Sequence, residues 1–173
     1  MARTRIERAA AELLAAAGVV TVPVDVERLA ELAGAQLLWQ RLDRTVSGLL
    51  LRVDDSAVLA VNESHHPRRQ RFTIAHELGH LKLHPGRRET VDSTVRVNRR
   101  DDLSSTATNG QEIEANAFAA ALLMPEDAAR DAVTKLRSST AANASRVVEL
   151  LAAEFDVSAD AMGYRLINLG LSS

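Results

Sequence analysis

The run Arg71-Phe72-Thr73-Ile74-Ala75-His76-Glu77-Leu78-Gly79-His80-Leu81 restricts the fold more than any other part of the chain. It holds two histidines four positions apart, with a glutamate directly after the first. On an α-helix, residues at that spacing lie one above the other, so both imidazoles can reach one ion. Glu77 then stands where a carboxylate can take a proton from water. Phe72, Ile74, Ala75 and Leu78 give the helix an apolar body. A pair of core or capping histidines is the competing reading, and an apolar body that turns both imidazoles out on one face counts against it.

Composition narrows the chemistry. The chain has 173 residues, 46% of them hydrophobic, which suits one compact unit spanning residues 1–173. It contains no cysteine, so disulfides and thiolate zinc sites are excluded and a metal must be held by His and carboxylate. A formal charge of −2 advertises no attraction for nucleic acid. No apolar run approaches the ~20 residues of a membrane span, and the charged start shows no signal-peptide core. The expectation is a cytoplasmic protein. With aromatic residues at 3% and many alanines, its helices should pack closely through small side chains.

The order of elements follows from periodicity. Thr4 to about Ala17 repeats Ile6, Ala9, Ala10, Leu13 and Leu14 at helical spacing and stops at Gly18. Asp25 can cap a short helix that ends at Gly34. Three strand-like runs follow at Ala35–Leu42, Gly48–Val53 and Ala57–Val61, with connections short enough for antiparallel hairpins. The histidine helix should start near Pro67 and stop at His84-Pro85-Gly86. Gly86 to Gly110 reads as a long charged and polar connection, with Val95-Arg96-Val97 a candidate edge strand. A second strong helix runs from Gln111 to Met124, and Pro125 can open the next. Helices near Ser145–Phe155 and Ser158–Leu169 give residues 144–173 the outline of a helix-turn-helix annex.

A catalytic zinc usually has three protein ligands and an open position. His84 is no third ligand for His76 and His80, because ~1.5 Å per residue puts it ~12 Å along the helix from His76. It reads as a helix-end or cleft-rim residue. The next helix offers Glu112-Ile113-Glu114-Ala115-Asn116, in which Glu112 and Asn116 share a face. A carboxylate followed one turn on by a short polar residue suits a ligand plus a partner that fixes a histidine tautomer. Glu112 and Glu114 differ by about 200° around the helix, so only one can face the His pair. Glu112 runs with Ala115, Ala119 and Leu122, whereas Glu114 runs with Ala117, Phe118 and Ala121, and this pattern favours Glu112 only modestly.

The block from Arg71 to His80, followed by Glu112-Ile113-Glu114-Ala115-Asn116-Ala117-Phe118-Ala119-Ala120-Ala121-Leu122-Leu123-Met124-Pro125, resembles the ImmA/IrrE family of metallopeptidases. Weaker likeness extends to Pro23-Val24-Asp25, Ser47-Gly48 and Arg165-Leu166-Ile167-Asn168-Leu169-Gly170, so it covers nearly the whole chain. The resemblance implies a minimal gluzincin-like α+β fold. In it a small, mainly antiparallel sheet carries the His-Glu-x-x-His helix and a second ligand helix, flanked by a helical N-terminal section and a helical C-terminal annex. It implies His76, His80 and Glu112 as metal ligands, Glu77 as general base and Asn116 as partner of a ligand histidine. Zinc is the expected ion, although such sites also accept manganese or iron. The implied activity is endopeptidase cleavage of a helix-turn-helix repressor. One expected departure from the longer members is that a chain ending at Ser173 would carry no C-terminal sensor domain.

Three further readings complete the expectation. The annex offers only Arg165 and Asn168 as DNA-reading side chains, with Asp160 opposed to phosphate, so it reads as structural or substrate-docking. His65, His66, Tyr164 and Arg165 are undifferentiated candidates for stabilising an oxyanion. The functional rival to the protease is a metal-containing protein that sequesters a repressor or toxin without cutting it.

Overall fold

The computed structural model describes residues 2–18, 21–53, 56–85, 89–93, 104–139 and 144–172. Its architecture is α+β. Helices α1 (Ala2–Ala16) and α2 (Val26–Leu32) precede strands β1 (Ala35–Gln40), β2 (Val46–Val53) and β3 (Ser56–Asn62). The histidine helix α3 (Pro67–Leu83) follows, then β4 (Glu89–Ser93), α4 (Ser104–Leu123), α5 (Glu126–Ser139), α6 (Ala144–Glu154) and α7 (Ala159–Asn168). Local chemistry sets several ends. Asp25 accepts from Arg28 N–H at the start of α2, and Ser158 accepts from Ala161 N–H at the start of α7. Gly18 (φ 63°), Gly34 (φ 81°) and Gly170 (φ 68°) follow α1, α2 and α7 in the left-handed conformation that ends a helix.

The sheet has the order β1-β3-β2-β4. β2 runs antiparallel to both β3 and β4, as a mainly antiparallel sheet requires, but β1 lies parallel to β3, with Leu37 opposite Leu59. The expected first hairpin is therefore not formed. β3 carries the most apolar run and takes an inner position, where Leu59 and Val61 are fully buried, so β1 must cross to its far side. Asn62 fixes that crossing. Wholly buried, it donates from Nδ2 to the carbonyls of Asp43 (3.0 Å) and Val46 (2.8 Å).

The region after α3 also differs from expectation. The edge strand is Glu89–Ser93, whose Thr90 and Val91 pair with Leu50 and Leu49 of β2. The candidate strand Val95–Val97 lies outside the described residues. α4 begins at Ser104, about two turns before the expected Gln111. Ser, Thr and Asn read as loop because their side chains compete for the backbone. A helix already packed at its apolar end propagates back through them, and through Gly110, because each added residue gains one backbone hydrogen bond.

α3 is the hub. Every residue from Thr73 to His80 is buried, because the helix touches β2, β3, α2 and α4. Leu50 and Leu59 from the sheet, Ile74 and Leu78 from α3, and Phe118 and Leu122 from α4 form the main core. α1 covers α4, while Leu151, Phe155 and Met162 continue the core into the annex. No helix among the described residues is long and apolar enough to cross a membrane.

Candidate metal centre

α3 and α4 approach closely because small residues meet at their crossing. A Cβ on Gly79 would stand 3.1 Å from the Cα and carbonyl oxygen of Ala115, so any side chain there would force the two helices apart by a few tenths of an ångström. Glu112 lies one turn before Ala115 and is carried into α3 by that contact. Glu112, Ala115, Phe118, Ala119 and Leu122 form a buried stripe along α4, joined near its C-terminal end by Ala121 and Leu123. Phe118 thus joins the Glu112 side, and the face the pattern weakly favoured is the one turned inward.

Three donors converge. His76 Nε2 lies 3.3 Å from Glu112 Oε2, and His80 Nε2 lies 3.3 Å from Glu112 Oε1. The two Nε2 atoms are 3.0 Å apart. All three ligand atoms fall within 4.8 Å of one another and the residues are buried, a group that could hold a metal ion.

The outer ring nitrogens are also engaged. Asn116 Oδ1 accepts from His76 Nδ1 at 2.9 Å, so that nitrogen carries the proton. His80 Nδ1 meets His84 Nδ1 at 3.2 Å. His84 is therefore not a rim residue: buried at the end of α3, it reaches Glu114 Oε2 with Nε2 at 3.0 Å. Glu114, on the opposite side of α4 from Glu112, faces His84 and Arg5 and not the His pair.

Electrostatics favour a cation. Burial pushes the His80 imidazole below its ordinary value, although the hydrogen bond to Glu112 opposes this. Burial alone would raise Glu112, but its hydrogen bonds with His76 and His80 together outweigh burial and hold it well below the usual carboxylate range. With both Nδ1 atoms turned to outer partners, two Nε2 atoms and one carboxylate face each other. Such an arrangement calls for positive charge between them, from an ion or from protons in its place. Two imidazoles and a carboxylate match the nitrogen and oxygen donor set of a catalytic zinc, so these residues fit the ion.

Glu77 is fully buried on the sheet side of α3. Gly48 makes room there: a Cβ on it would overlap the Thr73 methyl and come within 3.8 Å of Glu77 Oε1. Arg52 of β2 donates to the His80 carbonyl at 2.7 Å and closes the C-terminal end of α3. Burial lowers its guanidinium, and the nearby Glu77 opposes that. Arg52 and Asn62 escaped the sequence reading, because an arginine inside a strand pattern and an asparagine just past one look solvent-facing until the pairing is known.

The candidate oxyanion groups separate here. Arg165 is buried and committed, donating to the Met124 carbonyl at 2.9 Å and to both carboxylate oxygens of Glu7. His66 caps α3 by accepting from Arg68 N–H. His65 Nε2 lies 3.1 Å from the Arg44 carbonyl, and Tyr164 is 71% exposed on α7.

Comparison with known proteins gives a consistent picture. The model of the Peptidase_M78 family, described as the IrrE N-terminal-like domain, matches residues 35–167. A Mycobacterium tuberculosis transcriptional regulator shares the fold with a TM-score of 0.64 at 23% identity. The match covers 94% of this chain and 46% of that one, so the chain spans less than half the length of that regulator. Among curated proteins, none matches.

Proposed function

Because this chain belongs to the Peptidase_M78 family, that of the IrrE N-terminal-like domain, we propose that it is a metal-dependent endopeptidase. The observation that carries the reading is the convergence of His76 Nε2, His80 Nε2 and the Glu112 carboxylate in a buried group beside Glu77. His76, His80 and Glu112 would hold the ion, with zinc the expected metal. When bound, such an ion supplies Lewis-acid chemistry, polarising a peptide carbonyl and acidifying water.

The chain's own residues do the rest. Asn116 holds His76 in the tautomer whose Nε2 lone pair points inward. Glu77 takes the proton of the attacking water on a carboxylate oxygen and returns it to the leaving amine nitrogen. Among the described residues β4 is the last strand of the sheet on the β2 side and touches α3, so its outer edge can bind an extended peptide through main-chain hydrogen bonds. Residues 1–173 act as one peptidase unit, with residues 144–173 supporting it.

The substrate class is a DNA-binding repressor with a helix-turn-helix. The resemblance to ImmA/IrrE supports this, as does a fold shared with a transcriptional regulator. The test is to incubate zinc-loaded protein with such repressors, and with a peptide library, and to read new termini by mass spectrometry. Chelator-sensitive cleavage supports the reading. Stable repressor capture with every bond intact would replace it with sequestration.

A further inference from the structure

The metal-centre reading leaves three side chains unused: His84, Glu114 and Arg5. They form a continuous series that starts at a ligand. His80 Nδ1 contacts His84 Nδ1 at 3.2 Å, and His84 Nε2 contacts Glu114 Oε2 at 3.0 Å. Arg5 of α1 grips both Glu114 oxygens at 3.0 and 2.9 Å. His84 is buried and the Glu114 side chain is 28% exposed, so the inner half of the series is shielded from water.

Proton placement along the series has one consistent solution when His80 Nε2 is a ligand. That nitrogen must then offer a lone pair, so the His80 proton sits on Nδ1. His80 Nδ1–H can donate to His84 only if His84 Nδ1 is bare, which puts the His84 proton on Nε2. His84 Nε2–H donates in turn to Glu114, an ionised acceptor anchored by Arg5. Each group accepts on its inner side and donates or is anchored on its outer side. His76 obtains the same tautomer directly from Asn116.

We infer that His84 and Glu114 are positioning residues that fix the His80 tautomer and ring orientation, with Arg5 tying that support to α1. The inference rests on the metal-centre reading and adds a role to it. Glu114 is no bystander on the outer face of α4, because it completes the support of His80 through an interposed imidazole. A carboxylate behind a ligand histidine is a recurring device, and its loss typically costs 10–100-fold in metal affinity. Here the imidazole of His84 spans the gap, so α4 supplies a ligand through Glu112 and the anchor of another ligand through Glu114.

The test is zinc affinity by competition with a chromophoric chelator, alongside the visible spectrum of the Co²⁺-loaded protein. It is run on wild type, His84→Phe, His84→Asn, Glu114→Ala and the His84→Phe/Glu114→Ala pair, with thermal unfolding of the metal-free forms in parallel. His84→Phe keeps a ring and removes the acceptor, and affinity should fall about 10–100-fold with a changed Co²⁺ spectrum. His84→Asn puts an amide oxygen near the old Nδ1 and should recover part of the loss. Glu114→Ala, partly exposed and expected to fold, should fall in the same direction by less. The pair should fall no further than His84→Phe, because both act along one path. Additive losses, or wild-type affinity in folded Glu114→Ala and His84→Phe, would overturn the inference. Absence of zinc binding by wild type would instead overturn the metal-centre reading beneath it.

Discussion

At the scale of single residues, the centre turns on which acid of α4 faces α3. Glu112 meets both imidazoles at 3.3 Å, whereas Glu114 turns to His84 and Arg5. The order of sensitivity follows. Glu112→Gln should lower zinc affinity the most, since the amide lacks charge and leaves both Nε2 atoms facing a neutral group. Asn116→Ala should cost about 10–100-fold, the usual effect of removing the partner of a ligand histidine. Metal content of the purified, folded variants after dialysis checks the order. Full occupancy in Glu112→Gln would show that the carboxylate is not a ligand.

At the scale of elements, the critical feature is the contact between α3 and α4. Gly79→Ala would press a methyl against Ala115 backbone that cannot rotate away. We expect a loss of about 1–3 kcal/mol by denaturant unfolding, as for overpacked cores, and weaker zinc binding as Glu112 moves outward. Unchanged stability and affinity would mean that the crossing is loose. This is also the scale at which the sequence spoke most clearly. The helix carrying His76 and His80 was legible because a buried helix with a four-residue histidine spacing has few readings. The capped α2 and α7 were legible because Asp25, Ser158, Gly34 and Gly170 mark their ends by local chemistry. The parallel pairing of β1 was not, since it depends on Asn62 tying down a crossing some 16–20 residues back, at Val46 and Leu42. His84 was legible as a helix-end residue and, by arithmetic along α3, as no ligand, but only the packing of α4 reveals Glu114 behind it.

At the scale of the whole molecule, the chain's two ends meet. Glu7 of α1 pairs with Arg165 of α7, and the same guanidinium holds the carbonyl of Met124 just past α4. The Arg165 side chain is 3% exposed and that of Glu7 24%. Glu7→Ala therefore strands a buried cation and should destabilise by about 3 kcal/mol, the low end for a broken buried pair. Urea unfolding tests this, and a change under about 0.5 kcal/mol would assign the pair to the surface class. The same burial bears on the annex, because a guanidinium held by Glu7 and Met124 is not offered to phosphates. Titration with duplex DNA at low salt, where phosphate contacts are strongest, should show no sequence-selective binding. Sub-micromolar binding lost in Arg165→Met would contradict that.

The central claim is that the ligands and the base are separate groups: His76 and His80 of α3 with Glu112 of α4 as the ligands, and Glu77, next to His76 in α3, as the base. Glu77→Gln separates them in one preparation, with zinc content and cleavage of a peptide library measured on the same sample. The account predicts about one equivalent of zinc, as in wild type, with cleavage reduced at least 10²-fold, the usual contribution of a general base. Cleavage at the wild-type rate, or loss of zinc together with cleavage, would contradict it.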